Sequence, residues 1–454
     1  MKHLFLLFTT INLGLAQFAN ASSKELISVL KKNKLNPEHV SFEIRNQTKT
    51  MDSLNSQTLM IPASTSKVLT SFAVLKKFDL NHRFKTQLFM KDDNLYIKGG
   101  GDPGFVSENM WYLVNVFHRQ QIRKINNIYV DDSLFDQVRF DSSRQSVRVD
   151  RSYDSPVGAM SFNWNSVNIF VKPTQAGEKA QVYLDPENQY FKLVNKTQTK
   201  SGSLSKELVI DVDQDSRTIT VSGDVKLGAD EKPYYKNVAD PIQWTGENLK
   251  SFLLQRGIVV KGKVSEQKVP SDAVLVAESE SKSVDSVLSD MNKFSNNFVA
   301  EMLTKNLAAI SGEQPATLKT GVDQIRQSLK SLGLKDSDFD LENPSGFTRK
   351  NKISAASLNK VLFALKKDFK IFPSLLVSLP ISGVDGTLKK RMIDDPLQGL
   401  VRAKTGYLDG AISLAGYLGR PDGDILHFTF LYNGPQDLRT VQQAIDQTLR
   451  LYIK

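Results

Sequence analysis

The chain has 454 residues, no cysteine, five histidines and a formal net charge of +10. Without cysteine there is no disulfide, no thiolate nucleophile and no Cys-based zinc site. His3, His39, His82, His118 and His427 are too scattered to make a local zinc-binding pair. The positive balance favours anionic partners such as wall polymers or membrane surfaces. No dense Lys/Arg block or nucleic-acid-binding motif occurs, so nucleic acid is not an expected partner.

The chain opens with the pattern of a secretory signal. Lys2 and His3 form a short basic region, Leu4 to Leu15 is mostly apolar, and Ala19-Asn20-Ala21 reads as a cleavage site. Residues 1–21 are therefore expected to be a signal peptide and the mature chain to start near Ser22. No later run is long and apolar enough for a transmembrane helix. An exported protein follows, soluble or peripherally attached to wall or membrane.

Helical periodicity marks Lys24 to Leu35, and Val40 to Arg45 alternates as a strand. Ser64 opens a second helix with Val68, Leu69, Phe72 and Leu75 on its apolar stripe. From about Asn94 to Val269 the texture is β, with segments such as Leu95-Tyr96-Ile97 and Val167 to Val171. A polar stretch from Pro173 to about Lys232 reads as a small β-module within it. Helical patterns return at Val284 to Leu307, Val322 to Leu332 and Ala355 to Lys366. Leu400 to Thr405, Ile412 to Leu418 and Ile425 to Tyr432 read as three strands, followed by an amphipathic helix from Gln436 to Tyr452.

Three short strings carry chemistry: Ser64-Thr65-Ser66-Lys67, Ser295-Asn296-Asn297 and Lys404-Thr405-Gly406. Each alone is weak. S-x-x-K recurs at Ser28, Ser203, Ser279 and Ser357, and K-T-G at Lys319-Thr320-Gly321. Context separates the copies. Ser64 follows Pro62 and begins a striped helix, so Lys67 lies one turn on, on the same face, where a neutral amine takes the serine proton. Lys404 sits on a strand whose edge suits an extended peptide, with charge for a terminal carboxylate and with Gly406 for close backbone approach. Lys319 instead precedes a helix start. Ser295-Asn296-Asn297 falls in a break between helices, where capping is the plain alternative. Asp211-Val212-Asp213-Gln214-Asp215 lacks the Gly and Glu of an EF-hand loop and reads as a turn.

The three strings together are the set named for penicillin-binding proteins and class A β-lactamases. The chain resembles the low-molecular-mass class C penicillin-binding proteins, the D-alanyl-D-alanine carboxypeptidase/endopeptidase family of penicillin-binding protein 4. Further matches are Gly99-Gly100-Gly101-Asp102-Pro103, Asp131 to Asp136, Ala300-Glu301, Ser345-Gly346 with Arg349, Gly383 to Leu388, and Ser413 to Tyr417. The resemblance implies an α/β transpeptidase (β-lactamase-like) domain with an antiparallel sheet flanked by helices, interrupted by two inserted β-rich domains. The expected division is domain I at 22–88 and 273–454, domain II at 89–172 and 235–272, and domain III at 173–234.

It further implies Ser64 as nucleophile, Lys67 as base and Ser295 as proton relay. Asn297 would position the substrate amide, Lys404 and Thr405 would hold its carboxylate, and Ser64 and Tyr407 would supply oxyanion N–H groups. The implied partners are peptidoglycan peptides, with β-lactams as inhibitors. A periplasmic location, no cofactor and at most peripheral membrane contact are expected, and oligomeric state is left open. Two departures stand out: Asn296 where the family has Asp, and Asn343-Pro344-Ser345-Gly346-Phe347 where it has D-G-S-G-L. A β-lactamase and a non-catalytic wall-binding scaffold are the competing readings. The long insertion between Lys67 and Ser295 and the missing E-x-x-L-N signature oppose the first, and the intact strings oppose the second.

Overall fold

The structure is a computed structural model that describes residues 24–144 and 152–453. The expected signal segment 1–21 and the start near Ser22 lie outside the described residues. In chain order the first part holds α1 (Lys24–Lys32), β1 (Val40–Arg45), β2 (Thr50–Leu54) and α2 (Lys67–Lys77). A middle part follows with β3 (Lys85–Lys91), β4 (Asn94–Gly99), α3 (Ser107–His118), β5 (Lys124–Ile125), β6 (Ile128–Asp131), β7 (Ser166–Lys172) and β8 (Gln181–Asp185). It continues through β9 (Lys192–Lys200), β10 (Val209–Asp213), β11 (Thr218–Lys226), β12 (Lys232–Asn237), α4 (Pro241–Gln255), β13 (Val259–Val260), β14 (Val264–Glu266) and β15 (Val274–Glu280). Next come α5 (Val284–Lys293), α6 (Asn297–Ile310), α7 (Leu318–Ser331), β16 (Phe339–Asp340), β17 (Lys352–Ile353), α8 (Ala355–Lys367) and α9 (Phe372–Ser378). The chain closes with β18 (Val401–Leu408), β19 (Ala411–Gly419), β20 (Ile425–Asn433) and α10 (Leu438–Arg450).

The two ends of the chain meet in one antiparallel sheet, in the order β18-β19-β20-β1-β2. Strand periodicity sends alternate side chains to opposite faces. Ile412, Leu414 and Leu418 join Phe428, Phe430 and Tyr432 in a core shared with α1 and α10. Ala415, Tyr417 and Leu431 face the other way, toward α2 and α5 to α8. Helix α2 is enclosed there: Val68, Leu69, Phe72, Ala73, Val74 and Leu75 are all buried. An element apolar on every side belongs in a core and holds its residues rigidly. β18 is left as an edge strand beside the start of α2.

A second sheet, β14-β6-β4-β3-β15, packs against α3 and α4 around Trp244, Phe162 and Phe252. Two three-stranded sheets, β10-β11-β9 and β12-β7-β8, complete the middle part. Two helices there were not expected from the sequence. In α3, Met110, Leu113, Val114 and Phe117 form a helical stripe that the β-like flanks conceal. In α4, the Asp240 side chain accepts from the Gln243 N–H and Pro241 occupies the first turn.

The expected boundaries also shift. The cut at 88–89 falls inside β3, which pairs with β4 and β15, so Lys85–Lys91 and Val274–Glu280 go with the inserted sheet. The cut at 172–173 separates β7 from its hydrogen-bonded partner β8. At the junction, Gly101 has φ +76, and the Asn306 side chain from α6 donates to its carbonyl at 2.8 Å. A Cβ there would stand 2.4 Å from that side chain, which excludes any larger residue.

Candidate active site

Ser64 lies not in a full helix but in a 3-10 turn, Ala63–Ser66, that runs into α2 at Lys67. The turn is fastened from three sides. Ser413 of β19 and Thr65 both donate to the Pro62 carbonyl, at 2.6 and 2.7 Å. Gly406 of β18 lies so close that a Cβ on it would stand 2.7 Å from that carbonyl and 3.1 Å from the Ser64 nitrogen. Gly346, with φ +76, backs onto the Ala63 carbonyl. The sequence suggested that Gly406 makes room for a substrate backbone. The backbone it makes room for here is the protein's own.

Lys67 is fully buried, and its Nζ donates to Ser64 Oγ at 3.1 Å, Asn297 Oδ1 at 2.8 Å and the Ser345 carbonyl at 2.6 Å. Burial first, and the charge of Lys404 second, push the Lys67 ammonium well below the ordinary lysine range, while Glu301 opposes them. A neutral amine so placed is a proton acceptor for Ser64.

Lys404 is also fully buried; its Nζ donates to Ser295 Oγ at 2.8 Å and to the Thr405 carbonyl at 2.8 Å. Burial lowers it to about 7. Ser295 sits between α5 and α6 with φ +54, a left-handed conformation rare for a residue with a Cβ. The neighbouring Asn296 caps α6, its side chain accepting from the Val299 N–H. Capping and site geometry are therefore divided within one triplet. Asn297 is engaged at both ends of its amide: its Nδ2 donates to the Tyr153 carbonyl at 3.2 Å.

On β18, the Ala403 N–H points away from β19 to the Pro380 carbonyl. Peptide groups alternate in direction along an antiparallel strand. The N–H groups of Thr405 and Tyr407 therefore also face the open edge. Thr405 Oγ1 lies 2.8 Å from Thr387 Oγ1, and the Tyr407 ring is half exposed. Ser64, Lys67, Ser295, Asn297, Lys404, Thr405, Gly406 and Tyr407 thus gather at one place, from the start of α2, the α5–α6 junction and β18.

Other residues reach the same place without having been singled out by type. Tyr153, from the middle part, supplies its carbonyl to Asn297 and packs edge-on to Phe347, with ring centroids 5.8 Å apart. Ser345 enters through its carbonyl, a group every residue carries. Arg349, matched with Ser345-Gly346 in the sequence, donates to the Asp409 carbonyl. The other copies of the motifs stay outside the cluster. Thr317 caps α7, which contains Lys319-Thr320-Gly321, and Asp213 accepts from the N–H groups of Asp215 and Ser216 in a turn. No group of three or more His, Asp or Glu side chains able to hold a metal occurs among the described residues.

A buried lysine on a part-buried serine, a second serine–lysine pair and an open strand edge are the combination of groups named for penicillin-binding proteins and their relatives. The family profile described as the D-Ala-D-Ala carboxypeptidase 3 (S13) family matches residues 22–452. The chain belongs to that family. It is 29% identical over 422 residues to a D-alanyl-D-alanine carboxypeptidase of Actinomadura sp. (strain R39), covering 87% of this chain and 77% of the relative. It is 27% identical over 445 residues to the D-alanyl-D-alanine carboxypeptidase DacB of Haemophilus influenzae, covering 94% and 91%. The fold is that of the crystal structure of penicillin binding protein 4 (dacB) from Haemophilus influenzae, with a TM-score of 0.79 at 24% identity over 94% of this chain and 99% of that one.

Proposed function

We propose that the protein is a serine D-alanyl-D-alanine carboxypeptidase/endopeptidase that hydrolyses peptidoglycan stem peptides, or D-Ala–diaminopimelate cross-links, and that penicillin acylates it. One observation carries the reading: Lys67 Nζ lies 3.1 Å from Ser64 Oγ in surroundings that disfavour its charge. Family membership and the names of the relatives support the substrate class.

In this reading the Ser64 hydroxyl gives its proton to neutral Lys67 as Oγ bonds to the carbonyl carbon of the penultimate D-alanine. The N–H groups of Ser64 and Tyr407 receive the oxyanion. The C–N bond then breaks as the proton taken up by Lys67 reaches the departing amine through Ser295, which leaves Lys67 neutral again and the acyl group on Ser64. Lys404 and Thr405 hold the terminal carboxylate and Asn297 the substrate amide. Water adds to the acyl ester and returns Ser64. The reaction needs export, which residues 1–21 would supply as a signal. No described helix is long and apolar enough to cross a membrane. The sheets support a division into a catalytic unit at 24–84 and 281–453, with inserted units at 85–165 with 238–280 and at 166–237.

The test is product analysis with a D-Ala-D-Ala-terminated pentapeptide and a cross-linked muropeptide dimer. The wild type should release free D-alanine or monomers, and Ser64→Ala should release neither. Wild-type protein that cuts neither substrate would contradict the assignment.

A further inference from the structure

Behind Lys67 lies a buried polar chain that the proposed reaction does not use. The Ser345 carbonyl that holds Lys67 belongs to a loop fixed by Asn343, whose Oδ1 accepts from the Ser345 N–H at 2.9 Å and the Ser345 hydroxyl at 2.5 Å. The Asn343 amide Nδ2 donates onward to Glu301 Oε1 at 3.1 Å and to Ser143 Oγ at 3.1 Å. Glu301, on α6 one turn beyond Asn297, receives a two-pronged contact from Arg144, at 2.8 Å from Nε and 2.6 Å from Nη2. Arg144 Nη1 is held by Asp154 Oδ1 at 3.2 Å and the Ser155 carbonyl at 2.9 Å. The side chains of Arg144 and Glu301 are only 1% and 2% exposed.

A buried ion pair is costly to assemble and contributes little net stability compared with apolar packing. This one joins the middle part of the chain to the helix that carries Asn297. Its position is what calls for an explanation. Glu301 and Lys404 are the charges that act on Lys67, with opposite signs. Lys305, one turn further along α6, faces Asp136 instead. Arg144 and Asp154 stand behind Glu301 in this chain of contacts.

We infer that Arg144 and Glu301 are positioning residues: the pair fixes the Asn343–Ser345 loop against Lys67 and sets the charge that Lys67 meets. Through Arg144, the inserted part of the chain takes part in setting the basicity of the nucleophile's partner. With Arg144 bound to it, Glu301 presents a partly compensated charge to Lys67. Glu301 without Arg144 would favour the ammonium form of Lys67, and Arg144 without Glu301 would disfavour it.

The inference rests on Lys67 being the base. Its test is the second-order rate of acylation by a penicillin, followed by intact mass from pH 5 to pH 10. The set comprises wild type, Arg144→Met, Arg144→Lys, Glu301→Gln and the double variant Arg144→Met/Glu301→Gln. Arg144→Met should move the acid limb up by about 1 pH unit, the usual scale of one uncompensated charge. Glu301→Gln should move it down, and the double variant should return it toward the wild type. Arg144→Lys, which keeps the charge but not the fork, should keep the limb and lose rate. A merely structural role would lower rates and leave the limb in place. Limbs that coincide in Glu301→Gln and the wild type would overturn this inference alone. A wild type that is never acylated would overturn the reading of the site as well.

Discussion

Among the described residues no carboxylate lies beside Lys404, and burial leaves it near 7. A substrate carboxylate would supply the missing charge and raise that value. The sign follows directly. Above pH 7 the free site holds mostly neutral Lys404, so binding a carboxylate takes up a proton, and affinity falls as pH rises. Below pH 7 the lysine is already charged and the dependence fades. Calorimetric titration of an unreactive D-Ala-D-Ala peptide analogue into Ser64→Ala, in buffers of different ionisation enthalpy, should show uptake approaching one proton at pH 8 to 9. An amidated analogue should show none. This residue was legible in the sequence because K-T-G on a strand is contiguous. The acceptors around Lys67 were not. The Ser345 carbonyl has no sequence signature, and Arg144 lies 157 positions from Glu301.

At the scale of elements, the polar triplet before α6 performs two tasks. Asn296 caps the helix, and Ser295, in its left-handed conformation, turns its hydroxyl to Lys404. The departure from the family's Asp at 296 is explained by that geometry, because Asp and Asn are equally good caps. Asn296→Asp should therefore match the wild type in both denaturant midpoint and acylation rate. Asn296→Ala should lose about 1 kcal/mol of stability and also acylate more slowly, since the Ser295 backbone is held from the same residue. Equilibrium urea unfolding with parallel acylation assays checks both.

The C-terminal strands and α10 were readable because turn residues and a helical stripe bound them. Helices α3 and α4 were not, although Asp240-Pro241 is a helix-start signal. Their short β neighbours dominate the local pattern. The 3-10 turn at Ser64 was also hidden. Its form is set by contacts with Gly346, Gly406 and Ser413, none of them near in sequence.

Across the whole molecule, the catalytic sheet is sealed on both faces, and one polar ring is enclosed with it. His427 of β20 is buried against Phe363, with centroids 5.3 Å apart, and neither ring nitrogen has a hydrogen-bond partner among the described residues. Burial, with Lys366 and Arg45 adding to it, lowers its pKa to about 3. The unfolded chain binds a proton near pH 6.5 that the folded chain refuses. Stability therefore falls as pH drops from about 6.5 toward 3, by about 1.4 kcal/mol per pH unit for this one group. His427→Leu should unfold at a less acid-sensitive temperature over that window. Parallel melting curves for the two proteins from pH 4 to pH 7.5 measure the difference. Asp102, raised to about 7 by burial, works in the opposite direction and is common to both proteins, so it cancels.

The architecture as a whole brings one serine from the start of the chain to a strand edge from its end. Brought together there, this serine should become covalently acylated. The most direct measurement is intact-mass spectrometry of the wild type, Ser64→Ala and Lys67→Met after incubation with penicillin, with peptide mapping of any adduct. The wild type should carry a single penicillin-sized adduct, on the peptide that contains Ser64. Ser64→Ala should carry none, and Lys67→Met should form it much more slowly. An adduct on another residue, or none on the folded wild type, would contradict acylation at Ser64.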